Sequence, residues 1–477
     1  MANLSTPLIP VTGKMVNTYT APLIVSVFIC SLASIQYGFH MSELNAPSRY
    51  IRLSLGINQS ELGFLTSIFS IGGLISSTFA SYISKKYGLR ISFIITSLFY
   101  IVGSFIEGKS ELYHWFLIGR FTSGIAAGLA IVYVPVYMND ISPIELRGVL
   151  GSVTQISVNL GILIAQCLAI KWNTLQLWRS IIDFGWILGI LQLILVIFFL
   201  VESPKWLIVR HESNEREREM EMEKGFDILH KLRGIEIPSV LINEEIMIWK
   251  AEKESHLRLI ESQPHLKNLG FWYYLTDLNY FNSRTIATFM MLGQQFGGIN
   301  SVIFYGVDIL NKVFPTHALM INIIISIGNT IITSISSLFL DKLGRKPLLL
   351  ISLNLMIISL IILSIGIINN IATITILSIF TYVGSFAIGC GPIPFLIISE
   401  TSQLEVKDLA QSWATDINWI SVFIVGTLFP ILNSIIGGWT YLIFASFCIA
   451  FAIFVKFFVP ETKGCATYDD VWGSRVD

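Results

Sequence analysis

Twelve apolar stretches, six and then six, run through this sequence, and a charged segment separates the two groups. The first six fall near Pro22–Leu44, Leu62–Ser84, Ile91–Glu107, Leu112–Met138, Gly148–Ile170 and Trp178–Val201. The second six fall near Arg284–Leu310, His317–Leu340, Pro347–Asn369, Ile371–Ser399, Leu409–Ile435 and Trp439–Val459. A helix of about 20 apolar residues crosses the roughly 30 Å hydrocarbon core of a bilayer, so each stretch is a membrane-span candidate. Composition closes the alternatives. Charged residues make up 13% of the chain, against roughly 25% in soluble domains. The mean hydropathy is +0.68, which leaves too little polar surface for a water-soluble fold. A net charge of −1 with no basic block argues against a nucleic-acid partner and against disorder.

The segment between the groups, Glu202 to Arg284, holds 27 of the 63 charged residues, and its run Glu212–Lys224 mixes both signs. That composition predicts solvated helices packed outside the bilayer. The expected organisation is a tail over 1–21, a six-helix bundle over 22–201, a helical linker over 202–283, a second bundle over 284–459 and a tail over 460–477. Twelve lysines and arginines of the tails and short loops lie on the side of the termini, five on the other, so the termini and the linker are expected in the cytoplasm. That topology places the sequon Asn58-Gln59-Ser60 outside, with Asn58 as a glycan acceptor. The five cysteines show no metal-ligand spacing, and four sit in apolar runs as small hydrophobes, so neither a metal nor a disulfide framework is expected.

The two halves repeat. Ser81-x-x-x-Lys85-Lys86-x-Gly88-Leu89-Arg90 follows helix 2, and Ser337-x-x-x-Asp341-Lys342-x-Gly344-Arg345-Lys346 follows helix 8 at an offset of 256 residues. Asp140 and Arg147 after helix 4 are matched by Glu400 and Lys407 after helix 10 at an offset of 260. Glu202-Ser203-Pro204 after helix 6 is matched by Pro460-Glu461-Thr462 after helix 12. Parallel six-helix repeats are an architecture of rocking-bundle transporters with a central site.

These motifs carry a resemblance. With Gly119-Arg120, Pro135-Val136-Tyr137, Gln294-Gln295-Phe296-Gly297-Gly298-Ile299-Asn300, Gly391-Pro392-Ile393-Pro394 and Pro460-Glu461-Thr462-Lys463-Gly464, the chain resembles the sugar porter family of the major facilitator superfamily, and within it the hexose facilitators. The implied fold is an all-α membrane protein of twelve spanning helices in two six-helix bundles with a cytoplasmic helical insert. The implied function is passage of a monosaccharide, a hexose, by alternating access, with no enzyme activity and no cofactor. Proton-coupled symport and transporter-like sugar sensing are the alternatives.

A sugar's hydroxyls donate and accept hydrogen bonds, as side-chain amides do, and amides inside spanning helices are costly unless they face a polar cavity. The resemblance maps Gln155, Gln294, Gln295, Asn300, Asn329 and Asn418 onto sugar contacts, with Phe395 and Trp419 as aromatic partners. Phe304 and Tyr305 match the external gate. Arg90, Asp140, Arg147, Arg345, Glu400 and Lys407 are expected to form ionic clasps at the inner face. Ala387, Phe395 and Met291-Leu292-Gly293 depart from the family pattern, so the particular hexose is open. His40 stands where proton-coupled members carry aspartate and facilitators asparagine, with Arg120 as its expected partner. A neutral imidazole beside a cation predicts passive transport. A functional monomer is expected, in the plasma membrane, with a vacuolar or other internal membrane as the alternative.

Overall fold

The computed structural model describes residues 20–143, 146–209, 215–234, 237–262, 270–336, 343–465 and 468–473. The described residues are helical, with no strand among them. Six long helices come first: helix 1 (Ala21–Ser42), helix 2 (Gln59–Tyr87), helix 3 (Leu89–Lys109), helix 4 (Tyr113–Ile141), helix 5 (Arg147–Trp172) and helix 6 (Trp178–Phe199), with a short helix, Ser48–Leu55, between helices 1 and 2. The second set is helix 7 in two pieces, 7a (Phe281–Phe296) and 7b (Ile299–Asn311), then helix 8 (Ala318–Ser336) and helix 9 (Arg345–Ile368). Helix 10 is also interrupted, as 10a (Ala372–Ser385), a π turn (Phe386–Cys390) and 10b (Ile393–Glu400). Helix 11 (Lys407–Ile436) and helix 12 (Thr440–Phe458) complete the set.

Local chemistry fixes the starts. Thr20 accepts a hydrogen bond from the Leu23 amide, and Pro22 sits in the first turn of helix 1, where its missing N–H costs nothing. Asn58 and Glu61 form a reciprocal capping box at the start of helix 2. Among the described residues, ten helical segments are long and apolar enough to cross a bilayer. Among them Leu404–Phe458, at 55 residues, is far longer than one crossing needs and turns at Gly437–Trp439 between helices 11 and 12. Helix 7 falls outside the ten because its break leaves two pieces of 16 and 13 residues.

Close helix contacts organise each half. Helices 1 and 5 approach so nearly that a Cβ on Gly38 or Gly161 would lie 1.9 Å from the carbonyl oxygen of Val158 or Ile35. Small residues permit such backbone approach between membrane helices. Between the halves, helix 2 packs along helix 11 and helix 5 along helix 8. The charged segment folds as Pro204–Val209, Glu215–Arg233 and Ser239–Ser262 around Ile208, Leu229, Ile242, Ile246 and Trp249. Its buried Arg233 donates to both oxygens of Glu245, at 2.9 and 2.6 Å, and to the Ile141 carbonyl at 2.6 Å, which bolts the insert to the end of helix 4.

Candidate functional site

The break in helix 7 builds the site. Gly298 adopts φ +91, in the left-handed region that glycine enters without cost, and its Cα faces the Phe444 ring so closely that a Cβ would lie 2.4 Å from it. Tyr382 of helix 10 donates to the freed Gly297 carbonyl at 2.8 Å. The amides expected at sugar contacts gather around this break. Gln294 Nε2 donates to the carbonyls of Cys390 and Gly391 at 2.9 and 3.0 Å, next to the π turn of helix 10. Gln294 Oε1 accepts from Gln295 at 3.1 Å and from Asn418 of helix 11 at 3.2 Å, and Asn300 Nδ2 donates to Gln295 Oε1 at 2.5 Å. Four of the six amides therefore form one network across helices 7, 10 and 11, all buried.

The other two lie in helices 5 and 8 and bond to other partners. Gln155 is exposed and donates to Asn159 at 3.5 Å. Asn159 donates to Thr333 of helix 8 at 3.3 Å, whose hydroxyl donates to the Asn329 carbonyl at 2.8 Å. Gln155 and Asn329 are thus linked through Asn159 and Thr333, which the sequence reading missed. Trp419 is buried against Gly73 of helix 2 and meets the rings of Tyr37 and Phe69 edge-on at 5.9 and 6.2 Å. Phe395 is half-buried in helix 10b, and its carbonyl accepts from Gln411 of helix 11 at 2.9 Å.

Phe304 and Tyr305 sit in helix 7b at the end of the bundle away from the insert. Tyr305 donates to the Gly426 carbonyl at 2.8 Å and stacks on Phe429 at 5.6 Å, and Phe304 lies edge-on to Tyr305. The segment just after helix 1 reaches the same place. Asn45 donates to the Ile303 carbonyl at 2.8 Å and accepts from the Val307 amide at 3.0 Å, and Ser48 donates to Asp308 at 2.8 Å. The halves are joined at this far end.

The insert end corrects the clasp expectation in part. Arg345 does pair with Glu400, at 3.2 Å, and Glu400 also accepts from Thr462 at 2.5 Å. The Arg90 guanidinium instead donates to the carbonyls of Val196 and Ile197, because helix 6 ends beside it with unpaired carbonyls. Asp140 accepts from Ser203 at 2.7 Å, Lys407 is exposed at the start of helix 11, and the Arg147 side chain lies outside the described residues, as do Ser337–Lys342. The acids that organise this end are Glu202 and Glu461, which the sequence reading used only as signatures. Glu202 accepts from the amides of Leu89 and Arg90 at the start of helix 3, at 2.8 and 3.2 Å. Glu461 accepts from the amides of Arg345 and Lys346 at the start of helix 9, both at 3.0 Å. A carboxylate on unpaired N–H groups at a helix N-terminus is stabilising. Burial pushes the Glu202 carboxyl above its usual range, and the amides of Ser203, Arg90 and Leu89 pull it back.

His40 and Arg120 do meet, through the backbone: Arg120 Nη1 donates to the His40 carbonyl at 3.0 Å. The sequence reading missed the two carboxylates beside them, Glu43 and Glu107. The available signal was two glutamates inside apolar stretches, which the bilayer makes costly.

The profile of the sugar (and other) transporter family matches residues 11–470. This chain belongs to that family. It is 37% identical over 95% of both chains to a Saccharomyces cerevisiae protein described as a "Probable metabolite transport protein". It is 30% identical to the facilitated glucose transporter member 3 of Rattus norvegicus, over 95% of this chain and 92% of that one. Among solved structures, the inward-open xylose transporter of E. coli superposes with a TM-score of 0.78 at 22% identity, covering 95% of this chain and 99% of that one. The fold is that of the major facilitator superfamily, and the chain is a multi-pass membrane protein whose family moves sugars across membranes.

Proposed function

We propose that this sugar transporter carries a hexose by alternating access, as facilitated diffusion, and that the sugar binds at the break of helix 7 between the two halves. The observation that carries the reading is the amide network of Gln294, Gln295, Asn300 and Asn418. Its members now satisfy one another, and a hexose would replace those partners hydroxyl for hydroxyl. Gln155 of helix 5 and Asn329 of helix 8, with Phe395 and Trp419, complete the proposed contacts. The name of the rat relative, a facilitated glucose transporter, supports the substrate class. The contacts of Asn45 and Ser48 with helix 7b support a conformation closed at the far end, with Phe304 and Tyr305 as its seal, while Arg345 with Glu400 and Ser203 with Asp140, at the insert end, each join groups of one half.

The reading places the insert and both termini in the cytoplasm of a plasma-membrane monomer, with a glycan on exposed Asn58 at the far end. A mobility shift on glycosidase treatment, lost in Asn58→Gln, checks that orientation. The test of function is counterflow of labelled hexoses in proteoliposomes, which needs no ion gradient. Saturable exchange is expected, with Gln294→Ala and Gln295→Ala each weakening binding by about 1–3 kcal/mol, read as a raised KM at unchanged protein level. Absence of exchange for every hexose overturns the reading.

A further inference from the structure

Four ionisable side chains lie together inside the first half, apart from the amide network. Glu43 follows the last residue of helix 1, His40 lies one turn before it, Glu107 is near the end of helix 3, and Arg120 is in helix 4. Their side chains are buried from solvent. Arg120 Nη1 donates to Glu43 Oε1 at 2.6 Å and lies 3.8 Å from Glu107 Oε2. His40 Nδ1 is 2.9 Å from the same Glu43 oxygen, and its Nε2 is 3.3 Å from Ser104 Oγ. Ser123 donates to Glu107 Oε1 at 2.7 Å. One ring nitrogen of His40 and one oxygen from each carboxylate lie within 4.8 Å of one another. The Phe69 ring faces the guanidinium at 4.7 Å and the Tyr100 ring stacks on the imidazole at 5.1 Å.

The charges do not balance. One guanidinium faces two carboxylates, and ionising both beside a single cation is disfavoured in a site buried from solvent. The cations of the surrounding elements face other groups: Arg179 of helix 6 lies over the Trp178 ring at 4.3 Å and faces Asp183, and Arg52 faces Asp308. Lys109 of helix 3 is paired with Asp183 of helix 6 at 3.1 Å. Helix 7b brings Tyr305 and Asp308, and helix 1 brings Tyr37. His40 faces Glu43 and Ser104. Neutrality in the closed state takes one bound proton.

We propose that Glu43 and Glu107 share one exchangeable proton and that closure of the far end requires it. Two residues beyond Glu43, the Asn45 side chain makes two hydrogen bonds to helix 7b, so the segment that the cluster anchors is the one that closes. With the proton bound, the cluster is neutral and can be buried. When a carboxyl group releases the proton to water, a net negative charge remains, and it is relieved by admitting water from the far side, which opens that end. The proton comes from the far side and returns to it, so it sets the rate of transport without driving accumulation. The inference adds a ligand, the proton, to the carrier proposed above.

Two measurements on the full chain test it. Infrared titration in lipid reports the site whether or not sugar moves: a protonated carboxyl band is expected in the wild type, reduced in both Glu107→Gln and Glu43→Gln. The same band in all three proteins overturns the site. Counterflow in uniformly oriented proteoliposomes reports the gate. Wild-type exchange is expected to fall as far-side pH rises, approaching tenfold per pH unit, the limit for one proton. Glu107→Gln, fixed in the neutral form, should exchange at a rate independent of pH, and His40→Asn should keep the wild-type profile. A wild-type rate that ignores pH, a Glu107→Gln profile identical to wild type, or hexose accumulation driven by a far-side-acid gradient overturns the gating role. Failure of the carrier reading looks different: no exchange at any pH, with the infrared band intact.

Discussion

The two halves of this protein share a frame and divide the work within it. At the insert end the frame is nearly superimposable in chemistry. Glu202 caps helix 3 and Glu461 caps helix 9, while Ser203 donates to Asp140 and Thr462 to Glu400. Inside the bundles the likeness stops. The offset of 256 to 260 residues sets Gly298, where helix 7 breaks, against the stretch Gly38–Ser42, the last turn of helix 1, which is followed by a turn and the short helix Ser48–Leu55. In the second half that point frees backbone and gathers neutral amides. In the first half it carries His40, beside Glu43, Glu107 and Arg120. At this point the second half holds neutral amides and the first half holds buried charge. Sequence repetition therefore marks what both halves need to stay assembled, and its failure marks where each does something different.

The largest effect expected from breaking this division is in the charged half. Arg120→Leu leaves two buried carboxylates with no cation, and removing one partner of a buried ionic group costs about 3–5 kcal/mol. Loss of folded protein in lipid is expected, read by thermal inactivation and by yield. Arg120→Leu combined with Glu43→Gln and Glu107→Gln should recover most of the loss, because no unpaired charge remains. If the triple variant is no more stable than the single one, Arg120 acts by packing on Phe69 rather than by charge.

Next comes the bend. Gly298→Ala places a β-carbon at a positive φ and 2.4 Å from the Phe444 ring, and strain of this kind costs on the order of 1–3 kcal/mol. Hexose exchange should drop with it. Gly56→Ala is the control for φ alone, since Gly56 is also left-handed, at +65, yet has open space around it. Equal effects from both would assign the cost at Gly298 to backbone conformation and none to the packing of helix 12.

How much of this was legible beforehand follows from the type of signal each feature leaves. Twelve spans could be read because apolar runs are long and local. The amides could be read because polar groups in such runs are rare. The break at Gly297-Gly298 was legible as a weak point, since adjacent glycines permit it. The interruption of helix 10 as a π turn over Phe386–Cys390 was not, because its hydrogen-bond shift leaves no mark on apolar periodicity. The partners of Arg90 were misread for another reason. Its guanidinium answers carbonyls at the end of helix 6, and backbone acceptors carry no residue identity. Glu43 and Glu107 stood in plain view inside apolar stretches, but only the fold brings residues 64 positions apart to one guanidinium.

The smallest expected effect concerns one of the places where the shared frame differs in charge. At the start of helix 9 the second half has Arg345, whose side chain reaches Glu400, and at the equivalent start of helix 3 the first half has Leu89. Arg345 and Glu400 are 16% and 28% exposed, so water and salt screen the pair, and such bridges contribute about 0–1 kcal/mol. Arg345→Leu should therefore change thermal stability little, since Glu461 still holds the helix start through the Arg345 and Lys346 amides, whatever the side chain. The reverse exchange is not symmetric. Leu89 is 2% exposed among Phe93, Tyr137 and Leu200 of the first-half core, so Leu89→Arg buries a guanidinium without a prepared partner. Burying an unpaired charge is costly where losing an exposed pair is not. Thermal inactivation of the two variants side by side checks this. A loss in Arg345→Leu as large as that in Leu89→Arg would mean that the Arg345 pair, and not the Glu461 carboxylate, holds the second half together at this end.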